Sequence, residues 1–429
     1  MQYFFILGTN PTLSTAEICS VFPNEKISLA GKETAILETD KKILPQESIA
    51  RIGGTIKIGE VLFPAKSLNF DNILKNLQPH LVQKETGKYN FGISYYGQKK
   101  VDLHGLAMAI KNFWREQNIN SRWVTSKEKV LSSVVVEQNK LVSKGIEIVI
   151  MENNNELLIG KTLAVQPFKE LSFRDYGRPA RDDRSGMLPP KLAQIMINIA
   201  LPTKLFEEFV MLERSDSISL LDQSDSIGRS APSRMTNRNK VDAIILDPFC
   251  GSGTILSEAL LMGYKNLIGS DISDKAVTDT QTNLKWIENN FNIKNAKYRL
   301  FKSNVQSLGQ KIKASSVDAI ITEPFLGPQR GQIDVHKIKA ELEKVYSQAL
   351  QEFIKVLKPK GKIVMVWPVF KTKPQDIVLN PSLNKLQIIS PLPDNLAKQL
   401  YLTNRQTIIY GRPGQKVWRE IVALKKTAS

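Results

Sequence analysis

The sequence predicts an α/β protein: a C-terminal half built on one doubly wound, mostly parallel sheet, and an N-terminal half of α+β layers. Three observations carry this. The apolar run 243–246 ends in Asp247, passes through a glycine-bracketed turn and enters a helical run at Thr254, which is how a buried parallel strand hands the chain to a helix. A second apolar strand, 266–270, follows that helix and ends in Asp271. Ahead of residue 169, short strand and helix patterns alternate at close spacing.

Residues 1–65 read strand 3–7, helix 12–21, strand 34–38, helix 45–52 and strand 56–63, a ferredoxin-like layer whose polar residues form no chemical cluster, so a scaffold is expected. A second alternating unit at 66–168 has a helix at 70–81, a strand at 90–96 and an amphipathic helix at 101–115. Leu103, Leu106, Ala107, Ile110 and Trp114 share one face of the latter. A helix at 132–142 and a hairpin of 146–151 with 157–165, turning over 152–156, complete it. Residues 169–186 form an arginine-rich linker with Arg174, Arg178, Arg181 and Arg184. Pro190 then opens a helix at its first turn.

The span 187–429 is the sheet domain. Residues 213–240 lose apolar periodicity and read as a surface loop. Beyond Asp271 come a helix at 274–290, with Ala276, Val277, Thr280, Leu284 and Ile287 inward, a strand at 297–302 that delivers Ser303 and Asn304, and a strand at 317–322 that ends in Glu323. A helix at 337–357, a turn at 358–361, a strand at 362–367 and closing strands near 386–389, 406–410 and 419–424 finish the domain, the last two as an antiparallel pair.

Composition narrows the partners. Lys plus Arg number 59 against 42 Asp plus Glu, a net charge of +17, which favours a polyanion, nucleic acid first. Two cysteines and three scattered histidines give neither a disulfide framework nor a zinc cluster, so no metal is expected and a reducing cytoplasm fits. The apolar run 3–7 is too short for a secretory or membrane segment, and a protein with no membrane partner is expected.

The loop after the first sheet strand reads Asp-Pro-Phe-Cys-Gly-Ser-Gly-Thr from 247 to 254. Gly251 and Gly253 permit a tight turn and close backbone approach to a ligand, Ser252 or Thr254 can cap the helix, and Asp271 can accept both hydroxyls of a ribose. Glycine spacing alone leaves a nicotinamide dinucleotide open, but G-x-G-x-x-G is not the order found here. The loop resembles motif I of the amino-group methyltransferases. That resemblance implies S-adenosylmethionine, with Asp247, Gly251 and Gly253 at its methionine end, Asp271 on its ribose, and Phe249, Thr254 and Ile272 also in contact. In the family an Asp that contacts adenine occupies the corner held here by Asn304; a plain turn asparagine is the other reading.

Two further stretches carry resemblances. Phe91 to Gly97, Val142 to Glu147 and the order of elements around them look like a THUMP domain, which implies RNA binding, with Lys99, Lys100, Lys111, Arg115, Arg122, Lys127 and Lys129 available for phosphates. The run 174–200, arginine-proline, glycine, then Leu-Pro-Pro-Lys-Leu-Ala, resembles the stretch between THUMP and catalytic domain in archaeal and eukaryotic tRNA guanine-10 N2-methyltransferases. For its arginines, RNA contact and an interdomain salt-bridge strap stand side by side.

Glu323-Pro-Phe-Leu-Gly327 lies where amino-methyltransferases carry Asp-Pro-Pro-Tyr-Gly or Asn-Pro-Pro-Tyr. Without a gap Glu323 replaces the acid and Leu326 the aromatic; a one-residue shift puts Phe325 at the aromatic place. The lone pair of a guanine exocyclic amine is delocalised into the ring. A carboxylate (Glu323) and a carbonyl (Pro324) that hold its two N–H bonds would localise it, while Phe325 stacks on the base. Glu reaches one methylene further than Asp, so backbone compensation, another acceptor or lost activity are all open. The sequence therefore leads to an S-adenosylmethionine-dependent methyltransferase of the guanosine N2 amine in tRNA, with an accessory subunit left open. The rivals are an rRNA or DNA amino-methyltransferase and a non-catalytic RNA-binding protein.

Overall fold

The structure, a computed structural model, describes residues 1–67, 70–80, 88–154, 156–181, 187–201, 242–328 and 334–427. Arg184 and the expected loop 213–240 lie outside the described residues. The chain divides into two compact units: 1–11, 24–50 and 54–169 in the first, 12–23, 51–53 and 170–429 in the second.

The first unit is organised by one eight-stranded sheet. Its strands are β1 (Gln2–Leu7), β2 (Lys26–Ala30), β3 (Thr34–Glu38), β4 (Thr55–Ala65), β5 (Tyr89–Tyr96), β6 (Ser121–Val124), β7 (Gly145–Asn153) and β8 (Glu156–Val165), in the order β2-β3-β1-β4-β8-β7-β5-β6. β4 ends at Ala65 and pairs antiparallel with β8, so strands from both sides of the expected boundary at 65/66 share one sheet, and no boundary between compact units falls there. β2 was not expected; it is an edge strand with only Ile27 and Ala30 buried, too little alternation to register as a pattern.

Among the helices of this segment, α1 (Pro11–Val21), α2 (Pro45–Arg51), α3 (Phe70–Leu77), α4 (Leu103–Glu116) and α5 (Ser133–Gln138), α4 shows best how sequence sets packing. The Asp102 carboxylate caps it by accepting the Gly105 N–H at 2.8 Å, and Leu106, Ala107, Ile110 and Trp114 are buried along one face. Trp114 meets Tyr89 and Phe91 edge-on, at centroid distances of 5.0 and 4.9 Å. Leu103, expected on the same face, is only half-buried. α5 stops at Gln138, short of the expected 142, because Asn139 ends the helix and Lys140 turns left-handed at φ +55°.

A buried charge pair crosses this sheet. Lys57 is 1% exposed, and its ammonium donates to Glu147 Oε1 at 2.5 Å and to the Leu131 carbonyl at 2.6 Å. Ser94 and Thr162 hydroxyls donate to the Glu147 carboxylate, both at 2.6 Å. Burial pulls the lysine down and Glu147 holds it up.

From Glu170 onward the chain belongs to the second unit, with most of α6 (Phe168–Tyr176), then α7 (Pro190–Ala200), β9 (Ile244–Asp247), α8 (Thr254–Leu261), β10 (Asn266–Asp271), α9 (Asp274–Asn290), β11 (Lys297–Lys302), α10 (Leu308–Lys311), β12 (Val317–Thr322), α11 (Val335–Val356), β13 (Leu357–Phe370), β14 (Ile377–Val378), β15 (Leu386–Ile388), α12 (Asp394–Ala397), β16 (Ile408–Tyr410) and β17 (Val417–Lys426). The main path is β11-β10-β9-β12-β13-β17-β15. β9 to β13 are parallel, and β17 is antiparallel to β13 and to β16. The order reverses between β9 and β12, which is the switch point where open α/β sheets take ligands.

Two expectations are corrected here. Residues 358–361 do not separate helix from strand as a free turn: β13 begins at Leu357, and the register passes from Val317↔Leu357 to Ala319↔Lys362, so these residues bulge within the strand pairing. Helix α1 is not part of the N-terminal layer but belongs to the second unit, where the Glu17 carboxylate accepts the Gly53 N–H at 2.9 Å and the Asn198 side chain of α7 at 2.8 Å. No helix among the described residues is long and apolar enough to cross a membrane.

Replacing Lys57 by Met leaves Glu147 buried without its counter-charge. The expected cost is about 3–5 kcal/mol, read as a lower midpoint in denaturant unfolding of the first unit, and the Lys57→Met/Glu147→Gln double variant is expected to recover part of it.

Candidate active site

The site is built from the carboxyl ends of β9, β10 and β12. Asp247, the last residue of β9, is buried; its Oδ1 accepts the Thr322 hydroxyl at 2.7 Å and the Phe249 N–H at 3.3 Å. Burial pushes this carboxyl up to about 7; the Thr322 and Phe249 hydrogen bonds hold it down, and the negative charges of Asp271 and Glu323 push it further up.

Both loop glycines are left-handed, Gly251 at φ +52° and Gly253 at φ +80°. A Cβ on Gly253 would come to 2.8 Å from Thr280 Cγ2, whereas one on Gly251 would meet nothing within 4 Å, because that face is open to the cavity. Gly253 itself is the N-cap of α8, and no side chain caps the helix. This corrects the expected capping by Ser252 or Thr254: a left-handed Gly253 starts the helix at Thr254, and the Thr254 hydroxyl accepts from Arg178 Nη1 at 2.5 Å instead. The uncapped helix N-terminus, at Thr254 and Ile255, lines the cavity.

At the end of β10 the Asp271 carboxylate is fixed by two backbone donors, Gly251 N–H at 3.1 Å and Ser273 N–H at 3.0 Å. Ile272 is 66% exposed beside it. Asn304 lies on the cavity wall, but its side-chain oxygen accepts the Gln306 N–H at 3.0 Å and caps the short turn Val305–Ser307, so the turn reading describes its oxygen.

The arginine segment divides. Arg174 is buried in a bidentate pair with Glu258 of α8, at 2.8 and 3.2 Å. Arg178, also buried, joins Thr254 to Asp175. Ala180 exchanges hydrogen bonds with the Asn283 side chain, at 3.0 and 2.8 Å, and Asn283 also donates to the Ser252 carbonyl at 2.8 Å. Arg174 and Arg178 thus form a strap, inside the second unit rather than between domains. Arg181 lies over the Tyr176 ring at 5.2 Å.

On the acceptor side, Phe325 is 63% exposed at the cavity and Leu326 is buried, so the aromatic ring presented is that of Phe325, as in the shifted reading. Tyr346 of α11 donates to the Phe325 carbonyl at 3.1 Å. The Glu323 side chain is 12% exposed and paired with Arg419 of β17, Nε to Oε1 at 2.5 Å and Nη2 to Oε2 at 3.4 Å. Burial pushes Glu323 up and Arg419 holds it down. One cavity of about 600 Å³ is lined by Asp247, Phe249, Gly251, Asp271 and Ile272 together with Glu323, Pro324 and Phe325. Sequence reading missed Thr322, Tyr346, Arg419 and the Met187-Leu188 wall. Thr322 had a signal, as the last residue of the strand; Arg419, 96 residues from Glu323, had none.

A doubly wound sheet with the glycine loop and two strand-end acids at its switch point has the class I methyltransferase fold. The UPF0020 family model, an RMKL-like methyltransferase domain, matches residues 234–372. The chain is 28% identical over 229 residues to a tRNA (guanine(10)-N2)-dimethyltransferase of Methanocaldococcus jannaschii, covering 52% of this chain and 49% of that one. It is 38% identical over 94 residues to a probable tRNA (guanine(10)-N2)-dimethyltransferase of Methanothermococcus thermolithotrophicus, covering 21% of this chain and 55% of that one. The chain therefore spans about half the length of these curated relatives. Among solved structures, TrmN from Thermus thermophilus aligns with 99% of this chain and 100% of its own at a TM-score of 0.50 and 14% identity, a likeness of fold.

The raised Asp247 carboxyl has a consequence for stability. Between its ordinary value and about 7 the folded state keeps a proton that the unfolded chain has lost, so this contribution is full below the unfolded value and is lost as pH rises through about 7. Asp247→Asn keeps an oxygen for Thr322. Its stability advantage over the parent is expected to grow between pH 5 and pH 8, by on the order of 1–3 kcal/mol, because the part of the titration between pH 5 and the raised value falls in that window and each pH unit is worth about 1.4 kcal/mol. A parent-to-variant gap that is flat from pH 5 to 8 in cofactor-free melts would refute it.

Proposed function

We propose that this protein is an S-adenosylmethionine-dependent methyltransferase that acts on the exocyclic N2 amine of guanosine in tRNA. The observation that carries the reading is the single cavity in which the Asp247, Gly251 and Asp271 group meets the Glu323-Pro324-Phe325 loop. The residues fit the cofactor: Gly251 leaves room where a Cβ would intrude, and the Asp271 carboxylate is held by backbone donors with lone pairs to spare for a ribose. Asp247 and Gly253 serve the methionine end; Phe249, Thr254 and Ile272 line its path, with Asn304 at the adenine corner. When bound, the cofactor supplies an electrophilic sulfonium methyl.

The chain's own residues then orient the amine. The Glu323 carboxylate and the Pro324 carbonyl accept its two N–H bonds, which brings its lone pair out of conjugation, and Phe325 stacks on the extruded base. The printed names of the two archaeal relatives support tRNA and guanine N2 as substrate. The net charge of +17 supports a polyanion, and the THUMP-like segment 66–168 is the RNA-binding part of this reading. Both cysteines are buried and unpaired, in keeping with the reducing cytoplasm we assign. A binding protein without transfer is the second reading, favoured by one observation, the engagement of Glu323 by Arg419.

Incubation with methyl-labelled S-adenosylmethionine and, separately, total tRNA, rRNA and DNA tests the proposal; label in tRNA guanosine is expected, and label in rRNA or DNA alone would sink it. Asp271→Ala is expected to weaken S-adenosylmethionine binding at least tenfold in calorimetry while tRNA affinity stays within twofold. Glu323→Ala is expected to lose about 100-fold or more in methyl transfer with cofactor affinity unchanged; full activity in that variant would remove Glu323 from the acceptor role.

A further inference from the structure

We propose that Arg419 is a positioning residue for methyl transfer, clamping the Glu323 carboxylate so that a side chain one methylene longer than aspartate presents its oxygens at a fixed place; this rests on the reading of Glu323 as the acceptor of the target amine. Arg419 lies on the antiparallel strand β17, opposite Pro368 of β13, and reaches past β13 to the end of β12. Its guanidinium meets both carboxylate oxygens, at 2.5 and 3.4 Å. A carboxylate has about four lone-pair sites, so a two-pronged clamp leaves one on each oxygen for an incoming N–H. A planar fork also fixes the plane of the carboxylate in a way a lysine ammonium does not.

The same loop is pinned once more. The Phe325 carbonyl accepts from Tyr346, so the backbone on one side of Pro324 and the carboxylate on the other are each tied to a different element, α11 and β17. This is the arrangement that an added methylene requires: extra side-chain freedom at Glu323 is taken up by a partner that costs the loop no backbone shift. Arg419 has a second effect through charge. Among the described residues, the titratable and charged groups that act on or feel Glu323 are Arg419 from β17, Tyr346 from α11 and Asp247 from β9, and of these Arg419 is the cation. Without it a largely buried carboxyl beside another acid binds a proton more readily, and a protonated carboxyl offers one acceptor fewer to the amine.

The test uses the full chain with tRNA and S-adenosylmethionine and compares Arg419→Gln, Arg419→Lys and each of these in a Glu323→Asp background. Arg419→Gln is expected to lower kcat about 100-fold, leave the calorimetric affinity for S-adenosylmethionine within twofold, and move the acid limb of the kcat–pH profile to higher pH. Arg419→Lys keeps the charge but not the fork, so its limb is expected to stay near the parent while kcat falls about tenfold. In the Glu323→Asp background, where the shorter carboxylate needs no such clamp, Arg419→Gln is expected to cost less than tenfold. A merely structural arginine would lower the melting temperature and leave the limb where it is. Should Arg419→Gln fail to fold, parental kcat in Arg419→Lys overturns the positioning role. An unmoved acid limb with parental kcat in Arg419→Gln, when Glu323→Ala is inactive, overturns the role of Arg419 alone. Full activity of Glu323→Ala, or a parent that transfers no methyl, overturns the reading beneath it and this role with it.

Discussion

The hydrogen bond between Thr322 and Asp247 ties the ends of β12 and β9 together, and the rest of the site hangs on that adjacency. Parallel strands deliver their following loops to one edge of the sheet, and the register Ala319↔Ile245 and Ile320↔Leu246 sets these two ends level. From the switch point the chain runs outward from β9 through β10 to β11 on one side and, after β12, to β13 on the other, so the loops after β9 and β12 splay to opposite sides of a common crevice. One loop carries the left-handed glycines and the other the Glu-Pro-Phe run. A cavity shared by both follows from strand order alone; side chains only decide what it holds.

The N–H groups of Phe249, Cys250, Gly251 and Gly253 are bonded within the loop and to the neighbouring strand ends, but Ser252 and the side-chain-uncapped first turn of α8 are held from outside the loop. The strap 174–180 supplies what the loop lacks. Arg174 neutralises Glu258 one turn into α8, Arg178 holds Thr254, and Asn283 of α9 bonds the strap at Ala180 and the loop at Ser252. A buried arginine pair is a weak source of net stability, since desolvation offsets most of the attraction. Its value here is placement: breaking one partner leaves an unpaired charge, which penalises any other position of the loop.

How much of this was legible in the sequence follows from the range of each interaction. The strand, loop, helix and strand from Ile244 to Asp271 were readable because periodicity and glycine placement are local signals, and the observed bounds of α9 and β11 coincide with the expected 274–290 and 297–302. The loop proposed as the acceptor was located by its position after β12, and of the two registers left open for its aromatic, Phe325 is the exposed side chain and Leu326 the buried one. Edge strands such as β2 and β6 were not seen because a half-exposed strand of four or five residues has almost no pattern. The place of α1 in the second unit and the clamp on Glu323 depend on pairings across tens to hundreds of residues, and no local rule encodes them. Thr254 was misread for a related reason: its hydroxyl fits the local capping pattern, but a distant arginine takes it.

The two raised carboxyls in the cavity are solved differently, and the contrast bears on what each one faces. Glu323 has a guanidinium at hydrogen-bond distance, so its charge is balanced within the protein. The partners of Asp247 are a hydroxyl and a backbone N–H, both neutral, and its remaining neighbours push its pKa up rather than down. A buried carboxylate compensated only by neutral donors gains most from a ligand that brings its own positive charge, because the cation restores the ionised form and the desolvation cost is already met in the folded protein. In the proposed reading that cation is the ammonium of the methionine end. Glu323, already balanced, has no such demand and can accept from a neutral amine. In that reading, the division of one cavity into a cation-seeking end and an amine-accepting end follows from where the fold places Arg419.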